Sequence, residues 1–82
     1  MKIVCKLYAT LMAYLPPGTQ GHAVTMEVNN TSVQEIIDHF AIPEHMAFLV
    51  MLNGVYIPPE DRPVTCLQEN DVLAVWPKVA GG

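Results

Sequence analysis

One short stretch constrains the fold of this chain more than any other. Ser32 is followed three residues later by Glu35, a capping box in which each side chain satisfies a backbone N–H at a helix start. Val33, Ile36, Ile37 and Phe40 then fall at i, i+3, i+4 and i+7, so the helix carries a single apolar stripe. Gln34, Glu35, Asp38 and His39 take the other side, with the acids in the early turns that the helix dipole favours. Pro43 is expected to end the helix, because it lacks an N–H and restricts Ile42 before it. A helix with one stripe covers one apolar surface, and the remaining segments have to supply that surface.

Those segments read as strands. Met1 to Ala9 alternates, with Ile3, Cys5 and Leu7 in one phase and Lys2, Val4, Lys6 and Tyr8 in the other. Thr10 to Leu15 is apolar without a clean period, and Pro16-Pro17-Gly18 ends any regular element there. After a loop at Thr19 to Gly21, His22 to Val28 alternates again and returns as an antiparallel partner of the first strand. Phe48 to Leu52 and Val55 to Ile57 flank Asn53-Gly54, whose residues tolerate the positive φ of a two-residue hairpin. Pro58 to Pro63 is a rigid connector with one tight helical turn at Glu60 to Arg62, and Val64 to Leu67 is a short stretch with weak pairing capacity. Gln68-Glu69-Asn70 turns the chain into a last strand, Asp71 to Trp76, which Pro77 closes.

The order is β-β-α-β-β-β, and the last strand can lie parallel to the first in the middle of the sheet. The expected fold is α+β: a β-grasp, ubiquitin-like domain over residues 1–77, with a mixed sheet of four to five strands and one main helix on one face. Residues 78–82 are expected to form a flexible Gly-Gly tail.

At 82 residues the chain has room for one core. Its net charge is −4, and Lys2, Lys6, Arg62 and Lys78 are scattered, so the clustered cations that neutralise phosphates are missing and nucleic acid is not an expected partner. An acidic domain of this kind suits a basic groove on another protein. Lys, Pro, Asn and Glu interrupt every apolar run, which argues against a membrane span; with no recognisable export signal, a soluble, cytoplasmic protein is expected. Cys5 and Cys66 should then be reduced. His22, His39 and His45 stand apart, with no Cys-x-x-Cys, His-x-x-x-His or paired-carboxylate motif and no glycine-rich phosphate cradle. No metal site and no bound cofactor are expected, and an enzyme acting alone is not.

Two features point outward instead. Both phases of Val72-Leu73-Ala74-Val75-Trp76 are apolar, so covering one side with the helix leaves the other exposed. Val4 and Tyr8 on the first strand, with Val75 and Trp76 on the last, are the candidate partner-docking residues. The second feature is Gly81-Gly82, where the absence of Cβ atoms lets the backbone thread a narrow channel. The Gly82 carboxylate, with an ordinary pKa of about 3.5, would be delivered into another protein's active site. Activating it as an acyl-adenylate takes ATP bound by that partner, and attack by sulfur would yield a thiocarboxylate.

The chain as a whole resembles the MoaD/ThiS family of sulfur carriers. The residues that carry the resemblance are Val4-Cys5-Lys6-Leu7-Tyr8-Ala9 with Leu11, the capped helix Ser32 to Ile37, Leu52-Asn53-Gly54, and Leu67 to Val72. The ending Trp76-Pro77-Lys78-Val79-Ala80-Gly81-Gly82 is the most specific part, and the long turn from Thr10 to Gly21 is similar to the MoaD branch. The resemblance implies that Gly82 is adenylated by an E1-like enzyme of the MoeB/ThiF type, becomes a thiocarboxylate and donates sulfur. Gly81 would allow threading, and Val79 and Ala80 would line the channel entrance. In the MoaD branch the acceptor is a pterin precursor held by a MoaE-like large subunit of molybdopterin synthase. Other acceptors are thiazole formation for thiamin, cysteine synthesis and transfer-RNA thiolation. A ubiquitin-like protein modifier and a plain interaction domain are the alternatives outside sulfur transfer. Three positions depart from the family pattern. Leu11 to Tyr14 stands in place of an Arg-Glu pair, Asn70-Asp71 in place of Gly-Asp, and Lys78 in place of a second proline.

Overall fold

The computed structural model describes residues 1–78. Five strands, β1 (Lys2–Leu7), β2 (Ala23–Glu27), β3 (Leu49–Leu52), β4 (Val55–Tyr56) and β5 (Val72–Trp76), form one mixed sheet in the order β2-β1-β5-β3-β4. β1 and β5 are parallel neighbours at its centre, and every other pair is antiparallel. The helix α1 (Val33–His39) packs on one face, which is the β-grasp arrangement anticipated from the element order.

Period-two burial makes the core. Ile3, Cys5 and Leu7 of β1 point toward the helix, as do Leu73 and Val75 of β5 and Val50 of β3. Val33, Ile36 and Ile37 meet them from α1. Burying such aliphatic side chains is worth about 1.5–3 kcal/mol each before the entropy of ordering them is subtracted.

The capping box forms in full: Glu35 N–H donates to Ser32 Oγ at 3.1 Å, and Ser32 N–H to Glu35 Oε1 at 3.1 Å. The other end differs from expectation. Pro43 does not terminate α1; a left-handed turn at Ala41 (φ 59°) does so first. Ala41 N–H donates to Asp38 O at 2.9 Å and Ile42 N–H to Ile37 O at 3.3 Å, the paired bonds of a Schellman motif. Ala occupies the position that glycine usually fills.

Two further segments were illegible as regular elements. The aperiodic stretch after β1 becomes a 3₁₀ run, Ala9–Tyr14, that buries Leu11. Val64 to Leu67 joins the sheet nowhere; it clasps the helix start, with Val33 N–H on Thr65 O and Leu67 N–H on Thr31 O, both at 2.9 Å. The Asn53-Gly54 hairpin forms with both residues at positive φ (52° and 83°). Asn53 also reaches across to β5: its Oδ1 accepts from Val72 N–H at 2.8 Å and its Nδ2 donates to Asp71 Oδ1 at 2.9 Å. Asn70, at φ 70°, supplies the left-handed residue of the turn into β5.

Candidate functional site

β5 delivers the chain's last residues from the centre of the sheet. Its end is held on both flanks, by Tyr8 N–H on Val75 O and Phe48 N–H on Trp76 O, each at 3.1 Å. Pro77 is buried behind it, and the Lys78 ammonium lies 5.9 Å from the Phe48 ring centroid. Val79, Ala80, Gly81 and Gly82, the tail residues anticipated to enter a partner, lie outside the described residues.

Around the root of β5, the sheet face opposite α1 carries a row of stacked rings. Tyr8 stacks on Trp76 with centroids 4.4 Å apart and planes only 2° from parallel. On its other side Tyr8 meets His22 at 4.7 Å and 29°. Sequence reading set His22 aside as an isolated histidine and gave it no place on this face. The antiparallel register could have found it, because Leu7 N–H donates to His22 O and so places His22 beside the end of β1. Stacked pairs of this geometry contribute about 0.5–1.5 kcal/mol beyond their burial.

Of the four residues expected to dock a partner, the structure brings three to this face. Val4, Tyr8 and Trp76 are half-buried there. Val75 is a correction: it pairs with Leu7 and Val50, faces the helix and is 1% exposed, so it belongs to the core. Alternation along β5 puts Val72, Ala74 and Trp76 on the open face, which Leu49, Met51 and Tyr56 extend toward the β4 edge.

Among the described residues no three His, Cys, Asp or Glu side chains gather as a metal set. Both cysteines are free; Cys66 is exposed, whereas burial pushes the Cys5 thiol up to about 12, far from a reactive thiolate. Among the described residues no helix is long and apolar enough to cross a membrane.

A concavity of about 570 Å³ lies between the 3₁₀ turns Glu44–Met46 and Pro59–Asp61. Phe48 and Tyr56 line it, with Arg62, 3% exposed, among its lining residues. Sequence reading treated Arg62 as one more fixed cation. Its Nε, Nη1 and Nη2 donate to the carbonyls of Ile57, Ala47 and Phe48 at 3.1, 2.8 and 3.4 Å.

Comparison with known proteins bears on the whole chain. The ThiS family model matches residues 7–82. No curated protein matches at the sequence level. Among solved structures, SAMP1 from Haloferax volcanii superposes with a TM-score of 0.67 at 21% identity, with each chain fully covered. A chain from the complex of subunits 1 and 2 of molybdopterin-converting factor from Helicobacter pylori 26695 gives 0.59 at 18% identity, again over all of both chains. At these identities the structural likeness establishes the ubiquitin-like fold.

Proposed function

The chain belongs to the ThiS family, and from that premise we propose that it is a sulfur carrier working through the carboxylate of Gly82. The observation that carries the reading is the family match itself, which runs through residue 82 and takes in the Ala80-Gly81-Gly82 ending. The carboxylate attacks the α-phosphorus of ATP on an E1-like partner and expels pyrophosphate, giving an acyl-adenylate. A hydrosulfide equivalent then attacks the carbonyl carbon, AMP leaves, and one proton is released as the thiocarboxylate forms. ATP is bound by the activating partner. The carrier contributes the carboxylate, two glycines that accept whatever backbone angles a channel imposes, and a face to dock with.

A pterin precursor held by a MoaE-like subunit is the acceptor we favour. The observation behind it is the likeness to a molybdopterin-converting factor subunit found in complex with its partner subunit. The ThiS family model supports a second reading, transfer to a thiazole-forming enzyme.

Incubating a chain ending at Gly82 with ATP, an E1-like enzyme and sulfide should shift its intact mass by one oxygen-for-sulfur exchange. Removing Gly82 should abolish the shift. An unchanged mass in the full chain, with the activating enzyme proven competent on another carrier, would sink the proposal. Loss of pterin cofactor rather than thiamin on gene deletion would separate the two acceptors, and ladders of conjugates in cells would point to a protein modifier.

A further inference from the structure

Within the open sheet face, Lys6 is the residue that a docking partner has to answer. Cys5 and Leu7, both fully buried, fix the phase of β1, so Lys6 projects from the side opposite α1, between Val4 and Tyr8 along the strand. Its cross-strand neighbours are Ala23 on β2 and Ala74 on β5. Both are small and apolar, and neither side chain can accept from the ammonium of this half-buried lysine. Among the described residues no carboxylate lies within ion-pair distance of Lys6, and the cation–ring contact belongs to Lys78.

The chain's net charge of −4 does not describe this face. Its acids lie on α1, on the two 3₁₀ turns and in the turn before β5. On the open face only Glu27 remains, across from Lys2 and 3.6 Å from the N-terminal ammonium. Four residues of strand, about 13 Å, separate that end from Lys6. A partner that covers Val4, Tyr8 and Trp76 also takes water away from the Lys6 ammonium. An ammonium desolvated without a counter-charge is costly, and a facing carboxylate both offsets that cost and orients the encounter. A second copy of this chain is a poor occupant, because a two-fold axis through this row brings like charges together. We propose that the protein receiving the Gly82 tail presents a carboxylate to Lys6 from within an apolar docking surface, an inference that rests on the sulfur-carrier reading.

The test is thiocarboxylation by the E1-like enzyme, followed by intact mass over a series of carrier concentrations. Lys6→Met keeps the stem and removes the charge; its KM should rise about five- to tenfold while kcat stays within about twofold. Lys6→Gln should match it, which separates lost charge from added apolar surface, and Lys6→Arg should recover most of the loss. Added salt should raise the KM of wild type more steeply than that of Lys6→Met. Lys2→Met carries the same net charge as Lys6→Met and should stay within about twofold of wild type. An equal loss in Lys2→Met would assign the effect to overall charge and overturn the pairing. So would an unchanged KM in Lys6→Met, the result if Lys6 reaches water past Ala23 at the β2 edge. No mass shift in wild type would instead sink the sulfur-carrier reading, and the pairing with it.

Discussion

Ala41 sits at φ 59° in the position that ends α1, and its Cβ makes that conformation costly by about 1 kcal/mol. Ala41→Gly should therefore stabilise the domain by about 0.5–1 kcal/mol, read as a raised urea midpoint with an unchanged m-value. Cys5 gives a second residue-scale test. Its thiol is held near 12 in the fold against 9.0 when free, so above pH 9 the unfolded chain loses a proton that the folded one keeps. Stability from this group is complete below pH 9 and is lost as pH rises toward 12, at up to about 1.4 kcal/mol per pH unit. Urea unfolding of wild type and Cys5→Ala between pH 8 and 11 should show the steeper alkaline decline only in wild type. A thiol reagent should label exposed Cys66 at once and Cys5 only after unfolding.

At the scale of elements, what could be read from sequence depended on how local the determining contacts are. The capping box and the apolar stripe of α1 involve residues three and four apart, and both appear in the structure as the spacing implies. The Asn53-Gly54 turn was equally local. β5 was different, because Val72 to Trp76 is apolar in both phases and only its register against β1 assigns a face; Cys5 opposite Leu73 sends Val75 inward. Arg62 was illegible for a related reason: its partners are main-chain carbonyls at residues 47, 48 and 57, which leave no side-chain signature. The bridge between Asn53 and Asp71 joins the hairpin to the start of β5 and carries a prediction of its own. Asp71 also accepts from Gln68 N–H at 2.7 Å, so Asp71→Ala should cost about 1–2 kcal/mol in denaturant unfolding and loosen amide protection at the β5 start.

For the whole molecule, the division of labour is between a packed face and a face left open. Tyr8→Ala or Trp76→Ala removes a ring from the stack while leaving the core side untouched. Either should cost only about 1–2 kcal/mol of stability but weaken binding to an activating or acceptor partner roughly tenfold or more, measured by calorimetry on the folded variants. Val75→Ala should do the reverse, destabilising the fold by about 1–3 kcal/mol as a core cavity while a folded fraction still docks normally. That contrast distinguishes the two faces of one strand in a single experiment.

The parallel pairing of β1 with β5 also determines how the domain bears load. A partner that grips the residues beyond Trp76 and pulls would tug β5 along its own axis. Its ladders to β1 on one side and β3 on the other would be strained in shear, with all rungs sharing the force at once, and none could unzip singly. Pulled from the end of β5, the domain should therefore resist coming apart, and a force-spectroscopy trace should show one abrupt rupture in place of a gradual peel.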